Sequence, residues 1–572
     1  MEHKLNPRRA PQALQVGRIS RLLPFVIALC MGIFALYQLN PPAAVPADAP
    51  PTEFSSGRAL QQLQSIAREP HPLGSIEDAN VRQYIVGQLS GLGLSPEIQR
   101  AVITRRMISD RLGPRAAANI PDGQTVNNIV ARISGTGSTK AILLVAHYDS
   151  VPVGPGASDD GAAVAALLET ARALRASPAL RNDVILLFTD GEEAGLLGSI
   201  GFVEESSLVD QIGLALNFEA RGTSGPALMF ETSDQNGWLI TEFAKVAPHP
   251  IANSLMFNIY QILPNNTDFS MLKGAGLAGF NFAFIGNSEN YHSPNDSLSA
   301  ISEPSLEHHG ANALALTRHF GDLDLRAVRS SNLIYFDIMG LAFVYYPIGW
   351  VLPLAVLTAL VYIVVVVVGV RRKQLTLVGI GVGVLAFLGS IIVAVALVMG
   401  LWLLIQTVAA RTPALPTNSL VFAIFAVLTI IVVAALYALL SRRRAIAELS
   451  AGALLWWLLL AILTSVYLPG GSYLFTLPLL FSLIGLGLNV AGGSAAFTTR
   501  AAIIVVLCAI PGLALFVPTI ALIFMTLTLR LAWALALLMV LMLGLLIPQL
   551  CLLSAPGSAR AASASLPGDQ LP

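Results

Sequence analysis

Cysteine is nearly absent from this 572-residue chain: Cys30, Cys508 and Cys551 are the only three, and each lies in an apolar run. The charged middle of the chain therefore has no disulfide framework, no thiolate metal site and no cysteine nucleophile. Net charge is also missing, because 34 basic residues balance 34 acidic ones. That zero averages over two unlike halves. No nucleic-acid signature is present, so nucleic acid is not expected as a partner. Beyond Arg372 charge is confined to short breaks in almost continuous Leu, Val, Ala and Ile, which reads as membrane. Residues 55–324, by contrast, have the mixed charge of a soluble protein.

The apolar run 22–39 is long enough to cross a bilayer and follows Lys4, Arg8, Arg9, Arg18 and Arg21. Positive residues stay inside, so the chain is expected to leave the cytoplasm here. A cleaved signal peptide is the alternative reading, since small residues follow at 41–51, and either reading puts the next segment outside. A span at 348–370 ends in Arg371, Arg372 and Lys373, as a return to the cytoplasm should. Further runs at 375–405, 420–440, 451–467, 473–490, from 501 and at 531–553 bring the expected total to about eight. The division is a cytoplasmic N-terminus (1–21), an anchor (22–39), a Pro/Ala linker (40–53), an extracytoplasmic domain (54–323), a membrane domain of about seven helices (348–553) and a tail (554–572). The spans contain no cluster of His, Asp or Glu that would mark an ion path. The bundle thus reads as an anchor or assembly surface, and the chemistry belongs to the domain before it.

In that domain, apolar runs at 126–133, 141–146, 184–189, 214–218, 227–230 and 278–284 read as strands, most of them buried on both faces. A helix-spaced stretch follows an aspartate pair at 161–175. The expected fold is α/β, a mostly parallel central sheet flanked by helices, joined to an all-α transmembrane bundle. Ligands in such folds gather at the carboxyl ends of the strands.

The strand ends carry the chemistry. One run ends in His147-Tyr148-Asp149, another in Asp190-Gly191-Glu192-Glu193, a third in Glu219. Two loops add Ser158-Asp159-Asp160 and Tyr291-His292-Ser293-Pro294-Asn295-Asp296. Each taken alone has an ordinary explanation: a solvated glutamate pair, a helix cap, a loop histidine. Metal-competent groups from five segments meeting at one sheet edge are hard to explain singly. Imidazole and carboxylate without thiolate suit a hydrolytic zinc site.

The motifs H-Y-D-S, G-A-S-D-D-G, D-G-E-E-A-G-L-L-G-S, N-F-E-A-R-G and Y-H-S-P-N-D resemble, in order and spacing, those of the di-zinc aminopeptidases, the group that includes bacterial leucyl aminopeptidases and glutamate carboxypeptidase. The stretch E-P-H-P-L-G-S at 69–75, with an extracytoplasmic domain set between spans, is similar to the membrane-anchored branch containing endoplasmic reticulum metallopeptidase and vacuolar membrane protease. The resemblance implies two zinc ions bridged by Asp159, one completed by His147 and Glu219, the other by Glu193 and His292. It implies Glu192 as the general base, taking a proton from the attacking water and passing it to the leaving amine. Asp149 fits a carboxylate orienting His147. Asp296 either does the same for His292 or caps the following turn, and Asp268 matches a family position near the site. His71 is a candidate pocket residue, whereas His249, His308, His309 and His319 read as structural.

The expected function is peptide hydrolysis from the N-terminus. Carboxypeptidase and dipeptidase activities use the same metal set, a glutaminyl cyclase is a related alternative, and a receptor or chaperone subunit on the same fold is another. Peptides and the lipid bilayer are the expected partners. The cysteine-poor, alanine-rich composition points to a bacterial inner membrane with the domain in the periplasm, or in a lumen if the source is eukaryotic.

Overall fold

The structure is a computed structural model that describes residues 18–263, 265–409, 418–492 and 499–549. The start of the expected cytoplasmic N-terminus (1–17, with Lys4, Arg8 and Arg9) and the tail 554–572, together with Cys551, lie outside the described residues.

Seven strands form the sheet of the extramembrane domain: β1 Glu97–Ile103, β2 Gln124–Ile133, β3 Ala141–His147, β4 Val184–Thr189, β5 Ile212–Ala220, β6 Ser224–Thr232 and β7 Gly279–Gly286. Their order is β1-β2-β4-β3-β5-β7-β6. The four central strands, β4, β3, β5 and β7, run parallel. The flanks pair antiparallel, β1 and β2 on one side and β6 on the other, so the sheet as a whole is mixed. The parallel centre is where the continuous apolar runs sit: β3, β4, β5 and β7 are buried at every residue. Each fully buried Leu or Ile there contributes about 1.5–3 kcal/mol. β1 escapes the apolar reading because it is an edge strand, mostly exposed, with only Ala101 and Ile103 buried.

Helices cover both faces. Gly161–Arg175, rich in alanine, is buried over nearly its whole length and packs between β3 and the helices Ser56–Ile66 and Glu303–Gly321. Serines start these helices as the sequence rules require, Ser55 and Ser302 each accepting a backbone N–H of the first turn. A hairpin, β8 Leu333–Ile338 and β9 Ala342–Pro347, joins domain to bundle. Its Phe336 stacks on Tyr473 of the bundle at 4.4 Å between centroids.

Among the described residues, six helical stretches are long and apolar enough to cross a membrane, from Ile348–Arg371 to Ile503–Gln549. The last takes in the end of the helix Thr499–Leu507 and the helices Ile510–Leu527 and Ala532–Leu545. Near the N-terminus the helix Arg18–Tyr37 has a described apolar portion, Val26–Tyr37, shorter than a span. Outward-facing Leu352, Val356, Leu360 and Val364 are each more than half exposed, as side chains dissolved in lipid tails are. This is a multi-pass membrane protein. One carboxylate is buried in the bundle: Glu448 accepts the backbone N–H and hydroxyl of Thr376, whose hydroxyl in turn accepts the Gly379 N–H at 3.0 Å and caps the helix Leu377–Ala409.

Candidate metal centre

Parallel strands place their carboxyl ends on one edge of the sheet, and that edge collects the predicted residues. His147 is the last residue of β3, Glu192 and Glu193 follow β4, Glu219 lies near the end of β5, and His292 follows β7. Asp159 precedes the N-terminus of the helix after β3.

The two oxygens of Asp159 face different histidines. Oδ1 is 3.3 Å from Nε2 of His147, and Oδ2 is 3.2 Å from Nε2 of His292. Nε2 of His147 is also 3.6 Å from Oε2 of Glu219, and Nε2 of His292 is 3.0 Å from Oε1 of Glu193. Two triads thus share Asp159: His147, Asp159 and Glu219, and Asp159, Glu193 and His292, the donor atoms of each within 4.8 Å of one another.

The surroundings fix the free faces of these groups. Nδ1 of His147 lies 3.0 Å from the carbonyl of Asp149 and 3.5 Å from its Oδ1, which places the ring proton on Nδ1 and leaves Nε2 as a lone-pair donor. The Asp149 carboxylate also accepts the backbone N–H groups of Glu192 at 2.9 Å and Glu193 at 3.2 Å. One side chain therefore sets both the imidazole and the glutamate loop. Gly191, at φ 70°, gives that loop its turn. His292 is itself left-handed, at φ 53°, a conformation non-glycine residues adopt rarely and often at functional sites. Tyr291 stacks on it at 3.7 Å.

Asp296 accepts the backbone N–H groups of Ser158 at 2.7 Å and Asp159 at 3.1 Å. It holds the Asp159 loop, which is neither of the roles the sequence left open. Asp268 is fully buried and accepts the Thr189 hydroxyl. His71 is buried behind the Asp149 loop, its backbone N–H donating to Ser150 Oγ at 2.8 Å, and it does not line the cavity. His308 and His309 are buried, and His319 pairs with Glu242 at 2.8 Å.

Sequence reasoning missed Asn217 and gave Asp160 only as part of a helix-capping pair. The Asn217 amide donates to Glu219 Oε1 at 3.2 Å and to Asn281 Oδ1 at 3.0 Å. Asn281 in turn donates to Glu231, which pairs with Lys273. Asp160 accepts the backbone N–H of His147 at 3.2 Å. The i, i+2 spacing of Asn217 and Glu219, both facing one side of β5, was the available signal.

Burial and mutual repulsion set the charge of the cluster. Burial, with the Asp159 carboxylate adding to it, pushes Glu193 up to about 8. Burial also drives Glu192 well above the usual carboxylate range. Burial pulls the His292 imidazole down, but the carboxylates of Asp159 and Glu193 outweigh it and hold the ring up at about 9. Oδ2 of Asp159 and Oε1 of Glu193 are buried, and both face the single Nε2 of His292, at 3.2 and 3.0 Å. Converging acceptor atoms of this kind hold either protons or a metal, and the N/O donor set fits zinc.

A cavity of about 480 Å³ opens from these residues, its walls including Glu219, Tyr260, Tyr291 and His292.

Residues 128–317 match the family model described as Peptidase family M28. This segment is similar to an M28 peptidase domain. It contains all six residues discussed as metal ligands or base. The chain is 32% identical over 314 residues to "Endoplasmic reticulum metallopeptidase 1" of Mus musculus, covering 52% of this chain and 34% of that protein. It is 28% identical over 349 residues to "Vacuolar membrane protease" of Yarrowia lipolytica, covering 58% and 34% respectively. The match thus spans about a third of the length of these relatives. A zinc aminopeptidase from Bacillus subtilis aligns with 48% of this chain and 97% of its own, at 16% identity and a TM-score of 0.38. The match to the M28 model agrees with the family resemblance carried by the motifs at 147–150, 156–161, 190–199, 217–222 and 291–296.

Proposed function

We propose that this chain is a membrane-bound zinc exopeptidase of the aminopeptidase type, holding two zinc ions and removing N-terminal residues from peptides. The observation that carries the proposal is Asp159, whose two carboxylate oxygens face two separate His–carboxylate pairs. His147 and Glu219 would hold one ion, Glu193 and His292 the other, with Asp159 between them. Zinc, when bound, supplies Lewis acidity toward the carbonyl and lowers the pKa of water.

The remaining chemistry belongs to the chain. Glu192 takes a proton from the attacking water and returns it to the leaving amine, so no protein nucleophile is needed. A carboxylate that burial makes unusually basic suits that exchange. Asp149 keeps the roles of Glu192 and Glu193 separate by anchoring both amides, and Asn217 steadies Glu219. The cavity beyond the site is large enough for a chain end of one or two residues.

The basic clusters Arg371–Lys373 and 442–444 follow spans that run away from the domain. By the positive-inside rule they support a cytoplasmic side opposite the M28 domain. The domain then faces the periplasm of a bacterial inner membrane, or a lumen in a eukaryote.

The test is hydrolysis by the full chain of one peptide in free and N-acetylated forms, with and without 1,10-phenanthroline. Stepwise release of N-terminal residues from the free peptide only, abolished by the chelator and restored by zinc, is the expected result. Cleavage of both forms, or conversion of an N-terminal glutamine to pyroglutamyl peptide with loss of ammonia in place of hydrolysis, contradicts it.

A further inference from the structure

From Glu219 the floor of the cavity runs across the sheet away from the metal residues. Ala283 of β7 pairs with Glu219 of β5, and Leu228 of β6 pairs with Ala283, so the three side chains share one face. Over this floor lies the helix Ser254–Ile262, contributing Met256 and Ile259 to the cavity wall. Carboxylates at one end thus give way to an apolar compartment at the other.

That compartment is not closed by the M28 domain alone. Leu228, Met256, Ala283 and Ile285 form one packed cluster with Ala521 and Leu522 of the bundle helix Ile510–Leu527. Thr526, on the same helix, lines the cavity itself. Two hydrogen bonds lock this junction. Ser288 Oγ donates to the carbonyl of Met525 at 2.9 Å, in the turn that leads to Tyr291 and His292. Ser254 Oγ donates to the carbonyl of Gly470 at 2.7 Å, at the start of the cavity helix. Gly470 is required there: a Cβ would collide with the Asn258 side chain and come within 2.7 Å of the Ser254 carbonyl.

We propose that the bundle helix Ile510–Leu527 is a wall of the substrate pocket, and that Thr526 is a specificity-determining residue for substrates with a large apolar side chain beside the scissile amide. A bulky aliphatic or aromatic side chain lies across Ala283 and Leu228 and ends against Thr526. The bundle then selects substrate as well as anchoring the domain. The choice of substrate rests on the peptidase reading above; the wall does not.

The test uses the full chain in lipid nanodiscs and two coumarin amides, of phenylalanine and of alanine. Thr526→Trp fills the apolar end and is expected to lower the Phe-to-Ala ratio of kcat/KM about tenfold or more. Leu352→Trp, on a lipid-facing position of another helix, leaves that ratio unchanged. An unaltered ratio in folded Thr526→Trp overturns the proposal. A second readout needs neither turnover nor zinc. Thr526→Cys, with Cys30, Cys508 and Cys551 replaced by serine, is expected to react with a charged methanethiosulfonate, and L-phenylalaninamide slows that reaction more than L-alaninamide does. No reaction, or equal protection by the two amides, also overturns the proposal. Phenylalanine-selective protection in a chain that hydrolyses nothing would keep the pocket and reject the peptidase.

Discussion

The two ends of the cavity are built differently. At the polar end, six residues from five segments of one domain meet, and each is chosen by chemistry: only imidazole or carboxylate serves as ligand or base. At the other end, Leu228, Met256 and Ile285 meet Thr526 across a domain boundary, and each is apolar or small in a way many residues could replace. The first end is specified by residue type and the second by assembly. A change at the polar end should therefore remove function outright, whereas a change at the apolar end should redirect it.

The sharpest break in that contrast is Glu192→Gln, which keeps every metal ligand and removes the base. Hydrolysis is expected to fall by about 10²–10⁴-fold with zinc retained, read by turnover and metal content on the same preparation. Next is Asp149→Asn, which weakens the hold on His147 and on the Glu192–Glu193 loop. Zinc affinity should drop by about 10–100-fold in a chelator competition. At the apolar end, Gly470→Val pushes on the helix Ser254–Ile262 and should raise KM for phenylalanine amides more than for alanine amides, with zinc content unchanged. The smallest effect on the site comes from Glu448→Ala. It removes the acceptor of the Thr376 hydroxyl, which caps the helix Leu377–Ala409, and leaves the Thr376 amide unpaired, a cost of about 1–3 kcal/mol. A lower Tm with normal activity per folded molecule would identify Glu448 as structural; lost activity in a folded chain would place chemistry in the bundle.

The same difference explains what could be read from the sequence. The buried parallel strands were visible because burial on both faces leaves unbroken apolar runs, and the site residues were visible because they stand just beyond those runs. β1 was not visible because an edge strand needs few apolar residues. The mixed character of the sheet was hidden because strand direction depends on the connections and not on composition. Asn217 read as an ordinary polar residue because its i, i+2 spacing to Glu219 carries weight only once the register sets Asn281 opposite it and fixes its amide between the two. Asp296 was singled out, but its partners, the amides of Ser158 and Asp159, lie more than 130 residues away in sequence. The bundle read as an anchor because its helices lack charge clusters. Its contact with the cavity walls is made by Ala521, Leu522 and Thr526, and backbone carbonyls hold the junction; none of these stands out in a hydropathy pattern.

The most direct measurement is the zinc content of the full-length protein, wild type beside Glu192→Gln, by inductively coupled plasma mass spectrometry, with release of N-terminal residues followed on the same samples. Two zinc ions per chain in both proteins, with hydrolysis in the wild type alone, is the predicted result. A folded wild-type chain without zinc, or a Glu192→Gln variant that hydrolyses as fast as wild type, would contradict it.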